Sequence, residues 1–451
     1  MEPFGRHIYI CTQNKPDGIP CCHRDGAEEI VSRLKQELTT VELTDEVQVT
    51  TCGCLGLCEK GPNMVVYPDG TWYTSLKPDH IPRIVKEHLL EDQPVREFSL
   101  ADTGAAKAEI IAHNQKVSGM RAIMAKAGVI PDELNRYFRG FMESRLVLSA
   151  VELDFFSVIG SGATAAQVSD SAGTDQRATE ALLNALVAIE LLKKEGEVYK
   201  NSDLTADFLV SGAKHDSITA TLHPAKLWHR WSTLTDAVKA GTAVTADRGS
   251  RDEAQTQAFI AAMHKTAGFR GKMTVQQLDL EGVKHVLDLG GGSGAYTIAF
   301  LQQNPEMKAT LFDVPAVIPL SEAYIAEVDL SARVTFLQGD MVNDPLGEGY
   351  DLVWLSAICH MWGPDQNREL FSRIYDSLSP GGRIIVQDFV LEDHKTAPRF
   401  GAVFALNMLV NTQAGSSYSQ SEYREWMTVA GFQDIALKPL PGPTDLVIGT
   451  R

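Results

Sequence analysis

The chain has no long apolar run, no basic cluster and only one cysteine, Cys359, beyond its first 58 residues. No stretch approaches the roughly 18 to 20 consecutive apolar residues of a membrane span, so a membrane-embedded protein is not expected. The opening "MEPFGRHIYICTQ" lacks the basic flank, apolar run and small-residue cleavage site of a secretory signal, which predicts a cytoplasmic protein. Lysine and arginine number 41 against 58 aspartates and glutamates, a formal charge of -17 over 451 residues. That deficit disfavours nucleic acid as a partner, because phosphate backbones attract proteins through Lys and Arg patches that release counterions. Internal repeats and low-complexity stretches are also missing, which excludes a solenoid.

What is present is uneven. Six of the seven cysteines stand at 11, 21, 22, 52, 54 and 58. In a reducing compartment so dense a set points to metal ligands or redox thiols before structural disulfides. Residues 1–92 around them read as a small α/β unit. "HIYIC" and "VQVTTC" are strand-like, "GAEEIVSRLKQEL" is an amphipathic helix, "NMVVYPDGTWYTSL" a hairpin turned at Asp69-Gly70, and "DHIPRIVKEHLL" a closing helix. The spacing C-x10-C from Cys11 to Cys22 and C-x3-C from Cys54 to Cys58 offers four thiolates from two loops. Such a set holds two sulfide-bridged irons or one tetrahedral zinc, and the C-x3-C interval leans toward iron. Cys21 and Cys52 stand beside this set.

Residues 93–112 lose periodicity and are expected to be a polar linker. Residues 113–245 are helical in pattern, and "TAAQVSDSAGTDQRATEALLNALVAIELLKKEGEVYKNS" has the helix, turn, helix and strand-pair layout of a winged helix. A recognition helix with one arginine offers little to phosphates, so this unit is expected to make a dimer or wall a pocket. From 246 to 451 apolar strands alternate with helices, which predicts a parallel sheet covered on both faces with ligands at its carboxyl end. "VLDLGGGSGAYTIAFL" sets Gly290, Gly292 and Gly294 between strand and helix, compatible with a dinucleotide, a nucleoside cofactor or a tight turn. Asp313 in "LFDVP" falls where an acid can accept ribose hydroxyls, and Asp340 with Met341 in "QGDM" where an adenine would be met; both acids could equally cap helices. His360, in "LSAICHMWGPDQ" after the fourth strand, is either a structural histidine or a base at the ligand face.

These residues carry two resemblances. Residues from about 115 onward resemble the S-adenosylmethionine-dependent O-methyltransferases of the caffeate and acetylserotonin type, through "DLGGGSGAY", "LFDVP", "GDM", "ICHMW", "LSPGGRIIVQDFVL", "NMLVN" and "EYREWMTVAGF". The resemblance implies a helical, winged-helix dimerisation domain, a Rossmann-like class I methyltransferase domain and a homodimer. By position it implies that Gly290 and Gly292 hold the methionine part of S-adenosylmethionine, Asp313 the ribose, and Asp340 and Met341 the adenine. It makes His360 the general base and Asp388 its orienting acid, in place of the family's usual glutamate. Ser417 stands where the family has a second glutamate, and Ser356 where it has a lysine. Trp354, Met361, Trp362, Asn407, Met408 and Asn411 are expected to roof the substrate pocket.

Residues 6 to 90 resemble the thioredoxin-like 2Fe-2S ferredoxins, through "ICTQNKPDG", "CCHRDGAEEI" and "GCLGLCEKGPNMVVYPDGTWY". This implies a 2Fe-2S cluster on Cys11, Cys22, Cys54 and Cys58, and it leaves Cys21 and Cys52 as spare ligands or small buried residues. The expected function is O-methylation of a small, aromatic hydroxylated molecule, with the cluster sensing redox state or exchanging electrons with a partner protein. Two alternatives stand beside it: a hydroxylase or decarboxylase fed by the cluster, and a redox-responsive regulator that binds DNA through the winged helix.

Overall fold

Strands rich in Val, Ile and Leu assemble, among the described residues, into sheets of four, three and seven strands. A computed structural model describes residues 3–15, 19–244 and 253–451. The chain divides into two compact units, 1–139 and 140–451. The boundary expected at 245/246 lies outside the described residues. Among these residues no helix is long and apolar enough to cross a membrane.

In the first unit β1 (Arg6–Cys11) pairs in parallel with β2 (Val47–Cys52) and antiparallel with β3 (Met64–Tyr67), which turns back into β4 (Thr71–Tyr73). The turn passes through Gly70 at φ +69°, a left-handed conformation that suits glycine at the expected Asp69-Gly70 site. Helix α1 (Ala27–Thr40) buries Ala27, Ile30, Val31, Leu34 and Leu38, one face at helical spacing. Ile30 to Leu38 meet Ile8, Ile10, Met64 and Val66 of the sheet. The closing helix α2 (Ile81–Ile84) widens into a further turn through Leu90. There His88, fully buried, bonds Asp69 at 2.5 Å and the Tyr73 hydroxyl at 2.9 Å, tying this helix to the hairpin.

The polar segment 93–112 is not all loop. Helix α3 (Thr103–Lys126) begins inside it, capped by Asp102, which accepts from the Ala105 N–H at 2.9 Å. Its start is rich in Ala, Lys and Glu, strong helix formers that leave no apolar stripe, so periodicity does not reveal it. A Cβ on Gly56 would lie 2.9 Å from Ile110, and Lys60 pairs with Glu109 at 2.6 Å, so α3 packs on the cysteine loop.

Helix α4 (Asp132–Glu152) leads into the second unit. There α5 (Phe155–Ile159), β5 (Ala163–Thr164), α6 (Ala165–Ala172), α7 (Gln176–Ala188), β6 (Leu192–Glu195), β7 (Val198–Asn201) and α8 (Asp203–Phe208) follow in order. Phe155, Phe156, Val168, Leu183, Leu186 and Tyr199 form their common core. The layout is the winged helix expected. Thr164 and Gln167 cap α6 reciprocally, Gly173 ends it at φ +64°, and Asp175 caps α7. Helices α9 (Ile218–Trp231), α10 (Leu234–Ala240) and α11 (Glu253–Val275) lead to the large sheet.

That sheet contains β8 (His285–Leu289), β9 (Lys308–Asp313), β10 (Val334–Gln338), β11 (Tyr350–Ser356), β12 (Leu378–Asp388), β13 (Gln433–Pro439) and β14 (Asp445–Thr450), in the order β10-β9-β8-β11-β12-β14-β13. β14 runs antiparallel to both of its neighbours and the other pairs are parallel. Helices α12 (Ala295–Gln303), α13 (Ile318–Ala326), α14 (Pro364–Ser377), α15 (Arg399–Asn411) and α16 (Gln420–Ala430) complete this part of the unit. Strand β11 is buried on both faces. Val353 and Leu355 join Phe371 and Trp426, while Leu352 and Trp354 join Val286 and Phe300. Trp354 therefore does not roof a pocket: it is fully buried against Tyr296 and Phe300, because the strand's period of two turns it into that core. The chain winds one way from β8 to β10 and the other way from β11, which opens a crevice at the carboxyl ends of β8 and β11.

Candidate functional site

The glycine loop leaves β8 into that crevice. Gly290, at φ +75°, donates its N–H to the Phe312 carbonyl at 2.8 Å. A Cβ there would fall 2.5 Å from Ile358 and 3.2 Å from Met341, so these side chains close over the loop at a distance only glycine permits. Gly292 is different: at φ +57° it faces open space, with nothing within 4 Å of an added Cβ. The loop backbone is thus covered at Gly290 and bare at Gly292.

Asp313 ends β9 and binds the same loop. Its carboxylate accepts from the Gly292 N–H at 2.7 Å and from the Val314 N–H at 2.7 Å, and burial pushes its pKa up. Asp340 is exposed and closes its own turn, accepting from the Val342 N–H at 2.9 Å and the Asn343 amide at 2.7 Å. Of that pair, Met341 is the residue brought against the glycine loop.

His360 follows β11 and is buried, as is Asp388 at the end of β12. Its Nδ1 lies 2.6 Å from Asp388 Oδ1, and its backbone N–H donates to Oδ2 at 3.1 Å. Both the ring and the backbone of His360 reach the one carboxylate, so the short aspartate side chain makes the contact. The Phe389 N–H at 2.8 Å and the Tyr423 hydroxyl at 3.2 Å complete its partners. With Nδ1 held, Nε2 is the nitrogen left for other chemistry. The rings of Phe389 and Phe404 flank the imidazole, with centroids at 5.8 and 5.0 Å.

The other expected residues divide. Asn407 accepts from the Trp231 indole N–H at 3.0 Å and Asn411 donates to the Asn407 carbonyl at 2.6 Å, while Met408 is buried and Met361 exposed. The Trp362 carbonyl accepts from the Tyr418 hydroxyl. Ser356 donates to Gln387 at 3.2 Å, and the buried Ser417 hydroxyl has no hydrogen-bond partner among the described residues.

Sequence reasoning missed Asp288, Tyr423, Phe389 and Phe404. Asp288 is enclosed under the loop, accepts from the Thr297 N–H at 3.1 Å and its hydroxyl at 2.6 Å, and burial pushes its pKa up to about 6. Its place in "VLDLGGG", one residue before the end of the strand, was the available signal. Tyr423 and Phe389 sit inside recognised motifs, whereas nothing local marks Phe404.

The first unit holds the cysteine site. Cys11, at the end of β1, and Cys22 lie together in a buried cluster with Ala27, and the Cys22 thiol holds the Cys11 pKa down at about 6. Asn63 donates to Cys22 at 3.4 Å, and a Cβ on Gly61 would stand 3.1 Å from that sulfur. Cys54 and Cys58 form the second pair, 3.2 Å apart, with the Gly56 N–H 3.4 Å from Cys54 and the Lys15 ammonium 2.9 Å from Cys58. Among the described residues the four sulfurs do not form one group within 4.8 Å, the compactness a single tetrahedral ion needs. Two pairs on a glycine-lined cradle fit two bridged irons. Cys21 is buried and Cys52 lies across from Cys11 in the β1–β2 register.

Comparison with known proteins follows the same division. Residues 231–433 match the model of an O-methyltransferase domain, 135–211 that of an O-methyltransferase dimerisation domain, and 1–89 that of a thioredoxin-like [2Fe-2S] ferredoxin. The tetracenomycin polyketide synthesis 8-O-methyl transferase of Streptomyces glaucescens is 30% identical over 330 residues, covering 71% of this chain and 97% of its own. The 3-hydroxy-5-methyl-1-naphthoate 3-O-methyltransferase of Streptomyces sahachiroi is 28% identical over 331 residues, covering 71% and 95%. The crystal structure of human N-acetylserotonin methyltransferase in complex with S-adenosylmethionine superposes with a TM-score of 0.63 at 27% identity, covering 70% of this chain and 96% of that one.

The raised Asp288 pKa makes its charge unfavourable to folding above about pH 6, a penalty that disappears below the ordinary carboxylate value of 3.8. Asp288→Asn keeps an acceptor for Thr297 but cannot ionise. Between about pH 7 and pH 4 the wild type is expected to gain roughly 2 kcal/mol relative to the variant, most of the full effect of the shift. Urea unfolding of both proteins across that range checks this, and parallel stability curves would refute it.

Proposed function

The chain belongs to the O-methyltransferase family, and from that premise we propose that it methylates a hydroxyl of a small aromatic molecule with His360 as general base. The observation that carries this reading is the 2.6 Å bond from His360 Nδ1 to the buried Asp388, at the carboxyl end of the strands beside the glycine loop. The two Streptomyces relatives are named for O-methylation of a polyketide and of a hydroxynaphthoate. Phe389 and Phe404 offer an aromatic ring the apolar faces it needs.

When bound, S-adenosylmethionine supplies a methyl group made electrophilic by its sulfonium. Gly290 and Gly292 would hold its methionine portion, Asp313 its ribose, and Asp340 with Met341 its adenine. Asp388 holds the His360 proton on Nδ1, so Nε2 takes the proton of the substrate hydroxyl, whose free pKa is about 10 for a phenol. Burial of His360 and Asp388 keeps water from competing for that proton. Placing the oxygen in line contributes the rest.

Cys11 with Cys22 and Cys54 with Cys58 would each hold one iron of the cluster, which supplies one-electron chemistry when bound. Methyl transfer moves no net electron, so the cluster is read as a redox sensor that exchanges its electron with a partner protein. Tyr137, Phe138, Phe141 and Met142 expose large apolar side chains along α4, and a second copy of the chain is the partner that would cover them.

A second reading, a hydroxylase or decarboxylase, draws on the fused electron carrier and on Ser417, whose orphaned hydroxyl stands in place of the family's second glutamate. Product masses from labelled S-adenosylmethionine and a panel of phenols and naphthols decide between the two. In that assay His360→Ala is expected to lower kcat about 10²- to 10⁴-fold with donor affinity intact. Undiminished turnover would remove the base assignment. Gly290→Ala is expected to weaken S-adenosylmethionine binding at least about tenfold by calorimetry, because its Cβ overlaps Ile358. Purified protein should absorb in the visible and contain iron and acid-labile sulfide; a colourless zinc protein would end the cluster reading.

A further inference from the structure

Resting on the reading that Cys11, Cys22, Cys54 and Cys58 hold the cluster, we propose that His113 of helix α3 is a reserve ligand for the iron bound by Cys54 and Cys58. It lies 55 residues beyond Cys58, outside the span matched to the ferredoxin model. Its Nε2 stands 3.9 Å from the sulfur of Cys54 and 3.9 Å from that of Cys58, and the two sulfurs are 3.2 Å apart. Metal–sulfur bonds of about 2.3 Å and metal–nitrogen bonds of about 2.1 Å give a tetrahedral site edges of about 3.5 to 3.8 Å. The triangle of two sulfurs and one nitrogen is therefore close to one face of such a site. Among the described residues no other His, Cys, Asp or Glu offers an atom within 4.8 Å of both sulfurs, so Cys52 and Cys21 are less well placed.

The imidazole is held there by its own helix. Glu109 pairs with Lys60, Ile110 fills the space over Gly56, and His113 follows one turn later on the same face. The Lys15 ammonium, 3.4 Å from Nε2, has only protons to offer, so it faces a nitrogen lone pair, the form that binds metal. Cys54 is exposed, whereas Cys11, Cys22 and Cys58 are buried. The bond from iron to Cys54 is thus the one that solvent and oxidants reach. In the exchange the iron–sulfur bond to Cys54 breaks, its thiolate takes a proton from water, and the Nε2 lone pair forms the new bond to iron. No electron is transferred. A neutral imidazole in place of a thiolate raises the cluster's reduction potential, as histidine ligation does in Rieske centres.

The test uses the full chain as wild type, Cys54→Ala, Cys54→Ala/His113→Ala and Cys11→Ala. Iron and sulfide are assayed, and pulsed EPR of the reduced protein reads nitrogen bound to iron. Wild type is expected to carry about two irons and no directly bound nitrogen. Cys54→Ala should keep most of its iron and gain a directly bound nitrogen. The double variant and Cys11→Ala should each lose roughly tenfold or more of the cluster. Should Cys54→Ala lose its folded circular dichroism signal, Cys54→Ser is read by the same two criteria. A Cys54 variant as empty as the double, or loaded without bound nitrogen, overturns the proposal. A wild type without iron and sulfide overturns instead the cluster reading on which it rests.

Discussion

The register between β11 and β12 sets Ser356 opposite Gln387, and the residues that continue from this pair make the centre of the second unit. Four residues past Ser356 comes His360, and directly after Gln387 comes Asp388. The sheet thus delivers imidazole and carboxylate to one level with no long side chain needed to span a gap. Asp388 then draws in the His360 backbone, the Phe389 backbone and the Tyr423 hydroxyl. A buried carboxylate without those donors would be strongly destabilised, so the hydrogen bonds that orient the histidine are also what permits the acid to be there. Tyr423 is itself buried and its pKa is raised by that burial and by the Asp388 charge, which keeps its hydroxyl a donor.

The glycine loop rests on the same economy of distance. Gly290 is squeezed beneath Ile358 and Met341, while two residues later Gly292 stands open. Asp288 below and Asp313 beside it are both buried acids with raised pKa, engaged by loop or helix N–H groups. Carboxyl groups on two adjacent strand ends therefore fix the loop from within and leave its outer side to a ligand.

The first unit solves another problem. Its core is complete without the cysteines: α1 and the closing helix cover the sheet with aliphatic side chains, and the buried His88 joins hairpin to helix. The thiols gather at the ends of β1 and β2, in the turn before α1 and in the loop that follows β2, where Gly56 and Gly61 let the backbone and neighbouring groups come close to sulfur. Helix α3 then adds cover that the small α/β fold alone does not have.

By itself the sequence determined the strands and helices of the first unit, the winged-helix layout, the parallel strands β8 to β12, the glycine loop and the places of Asp313, His360 and the cysteines along them, because each is written in a local pattern: alternation, capping residues, a Gly run, close Cys spacing. The antiparallel β13 and β14 were not read from it. Trp354 was misplaced because an aromatic at a strand end has the same local pattern whether it lines a pocket or a core, and only the second face of the sheet distinguishes them. The start of helix α3, before residue 113, was missed because Ala and Lys carry propensity without a stripe. The reach of Asp388, the aromatic wall of Phe389 and Phe404, and the approach of His113 to two thiols were decided by tertiary structure alone. Each of these depends on residues far apart in the chain or on which lone pairs are already taken, and no local pattern records a distance through space.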